Sequence, residues 1–333
     1  MDWRRLLTNK RFGMEHYHGR SAGDRTEFQR DYDRLIFSAP FRRLQNKTQV
    51  FPLPGNIFVH NRLTHSLAVA CVGRSLGNVV SKKLKEKYNN AFHFIDEIGD
   101  IVAAACLAHD MGNPPFGHSG ERAIATYFSE GEGESLKNIL DDSALWNDFI
   151  YFEGNANAFR LLTHRFNGRR SGGFAMTYST LASIVKYPFS STYADTKKPK
   201  FGFFLSEEPS YKAIADDLGI IANPENQHKY ARHPLVFLLE AADDICYQIM
   251  DIEDAHKLKI LTSGETHELL TGFLPDERIE RANDIFETVT DVNEQIAYLR
   301  SSVIGILVEE CARVFTDNEE TVLRGMFTDT LIK

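Results

Sequence analysis

An all-α fold is predicted for this 333-residue chain by two observations. Apolar residues recur at every third or fourth position along several long stretches, and strand-like alternation is hard to find. The hydrophobic content, 43%, is enough for a substantial core, whether organised as one large helical domain or two smaller ones. No internal repeat or low-complexity tract interrupts the pattern.

The elements follow in order. Basic residues cluster early, in RRLQNK (42 to 47) and at Arg62, and taken alone such clusters read as a solvated face. Residues 62 to 87 place His65, Val69, Val72, Leu76 and Val79 on one stripe, so His65 points inward. DEIGDIVAAACLAHD repeats the pattern, with Ile98, Ile101, Ala105 and His109 on one face. MGNPPFG then breaks the helix, and Ser119 is the expected cap of the next one, ERAIATYF. Residues 129 to 148 read as a polar, acidic surface excursion. Helices are expected at about 155 to 166 and 180 to 185, and a long irregular loop at 188 to 210. Loops of that length are usually functional or disordered. A helix from Pro234 to about Leu258 follows, then two or three more over 276 to 333. The final TDTLIK has neither a glycine cap nor a polar tail, which is unexpected at a natural domain end.

Composition excludes several classes. Cys71, Cys106, Cys246 and Cys311 are scattered without a CxxC pair, and three lie in apolar runs, so buried thiols in a reducing, cytoplasmic setting are expected. The opening MDWRRLLTNKRFG lacks an apolar core with a cleavage site, and no stretch approaches 18 apolar residues; secretion and membrane spanning are not expected. A net charge of −8 argues against a surface that is basic throughout and follows nucleic acid by electrostatics alone. It leaves room for an anionic small substrate, which needs only local positive charge from a metal ion and a few side chains.

Chemistry centres on His109 and Asp110. An imidazole and a carboxylate at a helix end, with a loop opening beside them, can share one divalent ion. A His-Asp pair alone arises about once by chance in a chain of this composition, so context decides. Further on, Asp243, Tyr247 and Asp251 stand at i, i+4 and i+8 of an otherwise apolar helix. Carboxylates there cost stability unless paired or bound to a cation.

Six blocks occur in order: FRRLQNKTQVFPL (41 to 53), HNRLTHSLAV (60 to 69), AHDMGNPPFGHSGE (108 to 121), FEGNANAFRLL (152 to 162), IVKYPF (184 to 189) and EAADDICYQIMDIEDA (240 to 255). Together they resemble the deoxyguanosine triphosphate triphosphohydrolases and their dNTPase relatives, within the HD superfamily of metal-dependent phosphohydrolases. The resemblance implies an all-α HD-domain helical fold with additional helices, one domain over 1 to 333 with its HD core at about 25 to 260 and further helices at 276 to 333. It implies His65, His109, Asp110 and Asp243 as ligands of a divalent ion, with Mg, Mn, Co, Ni, Fe and Zn all compatible; the neighbouring Asp244 competes for the last place, but Asp243 is the one aligned with Tyr247 and Asp251. It implies His118 and Glu121 as a catalytic pair and Arg62 as a phosphate ligand. Gln49, Tyr247 and Asp251 match sugar-binding positions, Asn155, Lys186 and Tyr187 match further substrate contacts, and Lys200 is a candidate polyphosphate contact.

The implied reaction is hydrolysis of a 2′-deoxynucleoside 5′-triphosphate, dGTP by preference, to the deoxynucleoside and inorganic triphosphate. The resemblance also implies a homo-oligomer, a hexamer, and a dNTP or single-stranded DNA effector. Two readings compete: a nucleotidase or phosphodiesterase using the same centre on monophosphates or cyclic nucleotides, and a nucleotide-responsive binding protein. Family members usually continue beyond the point where this chain stops, and that part contributes basic residues to the site.

Overall fold

A computed structural model describes residues 1–16, 24–50, 59–140, 143–168, 171–197 and 199–332. The end of the block at 41 to 53 and part of the stretch at 129 to 148 therefore lie outside the described residues. The fold is all-α, and among the described residues only isolated bridges, such as Thr48 with Asn61, pair extended backbone.

The chain begins with α1 (Trp3–Leu6), α2 (Glu27–Ile36) and α3 (Ala39–Arg42), which lead into the long α4 (Arg62–Tyr88). Asn61 starts α4 through a reciprocal cap: its side chain accepts from Thr64 N, and the Thr64 hydroxyl oxygen accepts from Asn61 N, each at 3.0 Å. Asn89, in the left-handed region at φ 50°, ends it. Next comes α5 (Ile98–Ala108), in which every residue except Asp100 is buried. A helix so covered sits at the centre of a fold. It packs against α2 and α4, and on its other flank against α9 (Tyr178–Ile184) and α11 (Leu235–Lys257). At the α4–α5 crossing a Cβ on Gly77 would stand 2.7 Å from Gly99 Cα, so the two helices approach at a distance only glycine permits.

Between these lie α6 (His118–Ser129), α7 (Ser143–Ile150), α8 (Gly154–Thr163) and α10 (Glu208–Leu218), and the chain closes with α12 (Ser263–Thr271), α13 (Asp276–Phe286), α14 (Val292–Asp317) and α15 (Glu319–Leu323). One core cluster reaches from Trp3 to Leu331. No helix among the described residues is long and apolar enough to cross a membrane.

Several expectations need correction. Helix α6 starts at His118 with Gly117 as its cap, so Ser119 lies inside the first turn. Gly117 has φ +53°, a conformation that favours glycine, and Arg62 Nη2 lies 2.7 Å from where its Cβ would stand. The stretch at 129 to 148 is not wholly superficial, since Trp146 and Asp148 are buried. The irregular segment at 188 to 210 is irregular but held: Phe201 and Phe203 are fully buried, Ser190 bridges Phe203, and Asp148 accepts from the Ser191 hydroxyl at 2.6 Å and Leu205 N at 2.9 Å. Cys71 is exposed, whereas Cys106, Cys246 and Cys311 are buried, and all four are free thiols.

The amino-terminal segment is anchored by a buried ion pair. Arg11 donates to Asp31 at 2.7 Å and to the Ala175 carbonyl at 2.6 Å; Asp31 also accepts from Thr177 N at 2.9 Å and its hydroxyl at 2.6 Å. Thr177 caps α9, so this one carboxylate joins α2 to the helix that leads into the site. Asp31→Ala leaves Arg11 to pair with Glu27 and Thr177 without its carboxylate acceptor, and is expected to cost about 3–5 kcal/mol, read from the urea midpoint at unchanged m-value.

Candidate metal centre and substrate cavity

Three helices deliver three donors to one point. His65 sits in the second turn of α4, His109 follows the last residue of α5, and Asp243 lies in the middle of α11. Their ligand atoms all fall within 4.8 Å of one another. His65 Nε2 is 3.0 Å and His109 Nε2 3.6 Å from Asp243 Oδ1. The Cys106 carbonyl lies 2.6 Å from His109 Nδ1; because a carbonyl can only accept, Nδ1 carries the proton and Nε2 turns its lone pair to the trio.

Asp110 stands beside this trio. Its Oδ1 is 3.7 Å from His109 Nε2, while Arg62 Nη1 donates to Oδ2 at 2.6 Å and the Asn113 amide donates to Oδ1. Asp244, the competing carboxylate, is not part of the trio.

Electrostatics mark the trio as a place for positive charge. Burial works to raise the Asp243 carboxyl, yet His109 and His65 outweigh it and hold it at about 2. Burial likewise disfavours charge on His109, but Asp110 and Asp243 more than offset it and raise that group above the usual histidine range. Two imidazoles and a carboxylate at this spacing suit a borderline or hard divalent ion, and they leave positions open for oxygen ligands.

The trio lies in the wall of a cavity of about 580 Å³. Of the other predicted site residues, Gln49, Arg62, Asp110, His118, Glu121, Asn155, Lys186, Tyr187, Lys200 and Tyr247 also line it. Asp251 does not; it lies one turn beyond Tyr247 on α11, near enough to His65 and His60 for their charges to act on it. Five carboxylates (Asp110, Glu121, Glu153, Glu240 and Asp243) face three cations (Arg62, Lys186 and Lys200), so with neutral histidines the wall is net negative by two. A divalent cation cancels that excess, and without one a polyanion would be repelled.

His118 is open to solvent, and its Nδ1 is 2.7 Å from Glu121 Oε2. Glu121 Oε1 accepts from Gly154 N at 2.8 Å, which locks the carboxylate between α6 and α8. Nδ1–H therefore points to Glu121 and Nε2 is free. Burial disfavours charge on Lys200 and on Lys186, and nearby glutamates restore it above the usual lysine range. Lys200 donates to Glu153 at 2.7 Å and lies 3.8 Å from Glu121; Lys186 lies 2.8 Å from Glu240. Among the described residues two buried polar atoms at this cavity, Gln49 Oε1 and Arg62 Nε, have no hydrogen-bond partner. Unpartnered buried groups are rare in proteins, and at a cavity wall they suit a ligand.

Sequence reasoning missed Glu153, Glu240 and Asn113. Glu153 is buried, caps α8, and holds both the Asn155 amide at 2.9 Å and Lys200. It stands inside the block at 152 to 162, and its position just before Gly154 at a helix start was the available signal. Glu240 holds Lys186 and Arg232, a pairing across distant segments that no local spacing announces.

The HD domain family matches residues 62–187, which take in His65, His109 and Asp110. A deoxyguanosinetriphosphate triphosphohydrolase-like protein of Pseudomonas aeruginosa is 42% identical over 337 residues, covering 100% of this chain and 74% of that protein. A like-named protein of Synechocystis is 38% identical, covering 100% and 76% respectively. The deoxyguanosinetriphosphate triphosphohydrolase of Yersinia enterocolitica is 33% identical, covering 92% of this chain and 67% of its own length. Full-length similarity of this order, joined to the helical fold and the His-Asp centre, makes the chain a member of the deoxyguanosinetriphosphate triphosphohydrolase family of HD-domain hydrolases.

Proposed function

We propose that the protein hydrolyses 2′-deoxynucleoside 5′-triphosphates to the deoxynucleoside and inorganic triphosphate, with dGTP as the favoured substrate. The observation that carries this reading is the meeting, in one cavity, of the His65–His109–Asp243 trio, the His118–Glu121 pair and a wall of Arg62, Lys186 and Lys200. The names of the relatives support the substrate class.

His65, His109 and Asp243 would hold the divalent ion, with Asp110 as a fourth ligand. When bound, the ion supplies Lewis-acid polarisation of a phosphate oxygen and the positive charge that the cavity lacks. His118 Nε2, its tautomer set by Glu121, would act as general base or nucleophile at the α-phosphate. The Arg62 fork, Lys186, Tyr187 and Lys200 would take the phosphate chain, the lysines exchanging carboxylate partners for phosphate oxygens. Asn155, fixed by Glu153, adds a polar contact on the same wall. Gln49, Tyr247 and Asp251 would hold the sugar, with the exposed Tyr247 ring leaving no room for a 2′-hydroxyl.

Asp251 has a property that fits a binding role better than a stabilising one. Burial, with Asp254 adding to it, pushes its carboxyl up to about 6, against the opposing effect of His65 and His60. The fold thus disfavours its charged form relative to the unfolded chain. Proteins tolerate such a cost where function requires it.

Products decide the reading. Each dNTP incubated with Mg²⁺, Mn²⁺ or Co²⁺ is expected to release inorganic triphosphate, separated by ion-exchange chromatography; release of pyrophosphate with the nucleoside monophosphate would overturn it. His118→Ala should lower kcat by about 10²–10⁴-fold while Mn²⁺ affinity persists, and His65→Ala should lose that affinity. For Asp251, a folded-state pKa above the unfolded one means that stability is fully present below the unfolded pKa, near 4, and lost as pH rises through about 6. In metal-free protein Asp251→Asn is therefore expected to be more stable than the parent by about 1–2 kcal/mol at pH 8, allowing for solvent screening, with no gain at pH 4. Thermal melts across that range check it.

A further inference from the structure

The sequence passes over His60, and the proposed chemistry makes no use of it. It forms the longest-range polar contact near the site. Asp254, 4% exposed on α11, accepts from the backbone N–H of His60 at 2.9 Å with Oδ2 and faces His60 Nδ1 at 2.8 Å with Oδ1. One carboxylate thus grips one residue at two points, across 194 positions of sequence. Asp254 lies on the stripe of α11 that carries Asp243, Tyr247 and Asp251, three residues beyond the last of them.

On the other side, His60 is the residue before the α4 cap. It precedes Asn61, then Arg62, and a turn later His65. The segment at 47 to 49 rides on the same stretch: Arg62 N donates to the Lys47 carbonyl at 3.0 Å, and Thr48 bridges Asn61, which sets down Gln49 beside them. Fixing His60 against α11 therefore registers Gln49, Arg62 and His65 at once against Asp243, Tyr247 and Asp251. His60 and Asp254 are also both close enough to act on the charge of Asp251.

We propose that His60 and Asp254 form a positioning pair that sets the width of the sugar subsite and the seat of the ion, and through them the preference for deoxyribose over ribose. The proposal rests on the functional reading above. A displacement of about 1 Å between groups that grip a substrate can cost around a hundredfold in rate, so a two-point clamp at this junction governs specificity without touching substrate. A plain helix-start contact would contribute to stability alone.

Two variants separate these roles. His60→Ala keeps the backbone half of the clamp and removes the ring, and Asp254→Asn keeps the shape and one acceptor; circular dichroism and melts verify the fold of each. Both are expected to raise KM for the preferred dNTP about tenfold with kcat within about threefold, and to lower the dNTP-to-NTP ratio of kcat/KM about tenfold. The double variant should be no worse than Asp254→Asn, because the pair acts as a unit. Mn²⁺ affinity, measured by calorimetry, should weaken about tenfold in each. Variants that melt earlier but keep the parental KM, sugar ratio and Mn²⁺ affinity would overturn the proposal. If the parent releases no triphosphate from any dNTP, the functional reading fails separately, and the clamp is judged on Mn²⁺ affinity alone: a parental value in the variants overturns it, a weakened one upholds its hold on the ion's seat.

Discussion

The burial of α5 is the constraint on which the rest depends. A helix covered on every side except at Asp100 must be surrounded, and α2, α4, α9 and α11 are the elements that surround it. Because the Gly77–Gly99 contact brings α4 unusually close, His65 and the end of α5 stand within reach of each other, with ring centroids 5.6 Å apart. The chemistry begins where this apolar helix runs out: His109 caps it, and Asp110 is the first carboxylate after the eight covered residues that follow Asp100. Placing polar groups at the end of a helix packed on all sides is a direct way to hold donors within a few tenths of an ångström.

Legibility varied with the range of the physics involved. The local period placed His65 and His109 on inward faces, but joining them with Asp243 into one set rested on the family resemblance, since an acidic stripe on one helix reads equally as a solvated face. The all-α architecture was legible from the same period. Ser119 misled because serine is a good cap in general, while α6 starts two residues earlier, on Gly117 in a positive-φ conformation that the turn before it requires. The loop expected at 188 to 210 ran into the first turn of α10, whose buried stripe of Tyr211, Ile214, Ala215 and Leu218 has helical spacing and was legible. Lys200 looked like a free phosphate ligand; its pairing with Glu153 spans 47 positions and has no sequence signature.

The cavity is also a lesson in charge accounting. Each cation on its wall is already partnered: Arg62 with Asp110, Lys186 with Glu240, Lys200 with Glu153. Such pairing keeps long, flexible side chains ordered and aimed, so that less entropy is lost when a ligand arrives. It also offsets the pull of burial against charge on the lysines. The acidic net charge of the chain is thus no obstacle to a polyanionic substrate, since what matters is the local balance once an ion is seated.

His65 and Asp243 are 178 positions apart, with His109 between them. A chain that has emerged from the ribosome only as far as α9 carries both imidazoles and every residue of the buried helix, but no centre, because the third donor has yet to be made. No partial structure can bind the ion with the affinity of the whole. An ion held by the trio would therefore stabilise the joint arrangement of α4, α5 and α11 rather than any one piece of it.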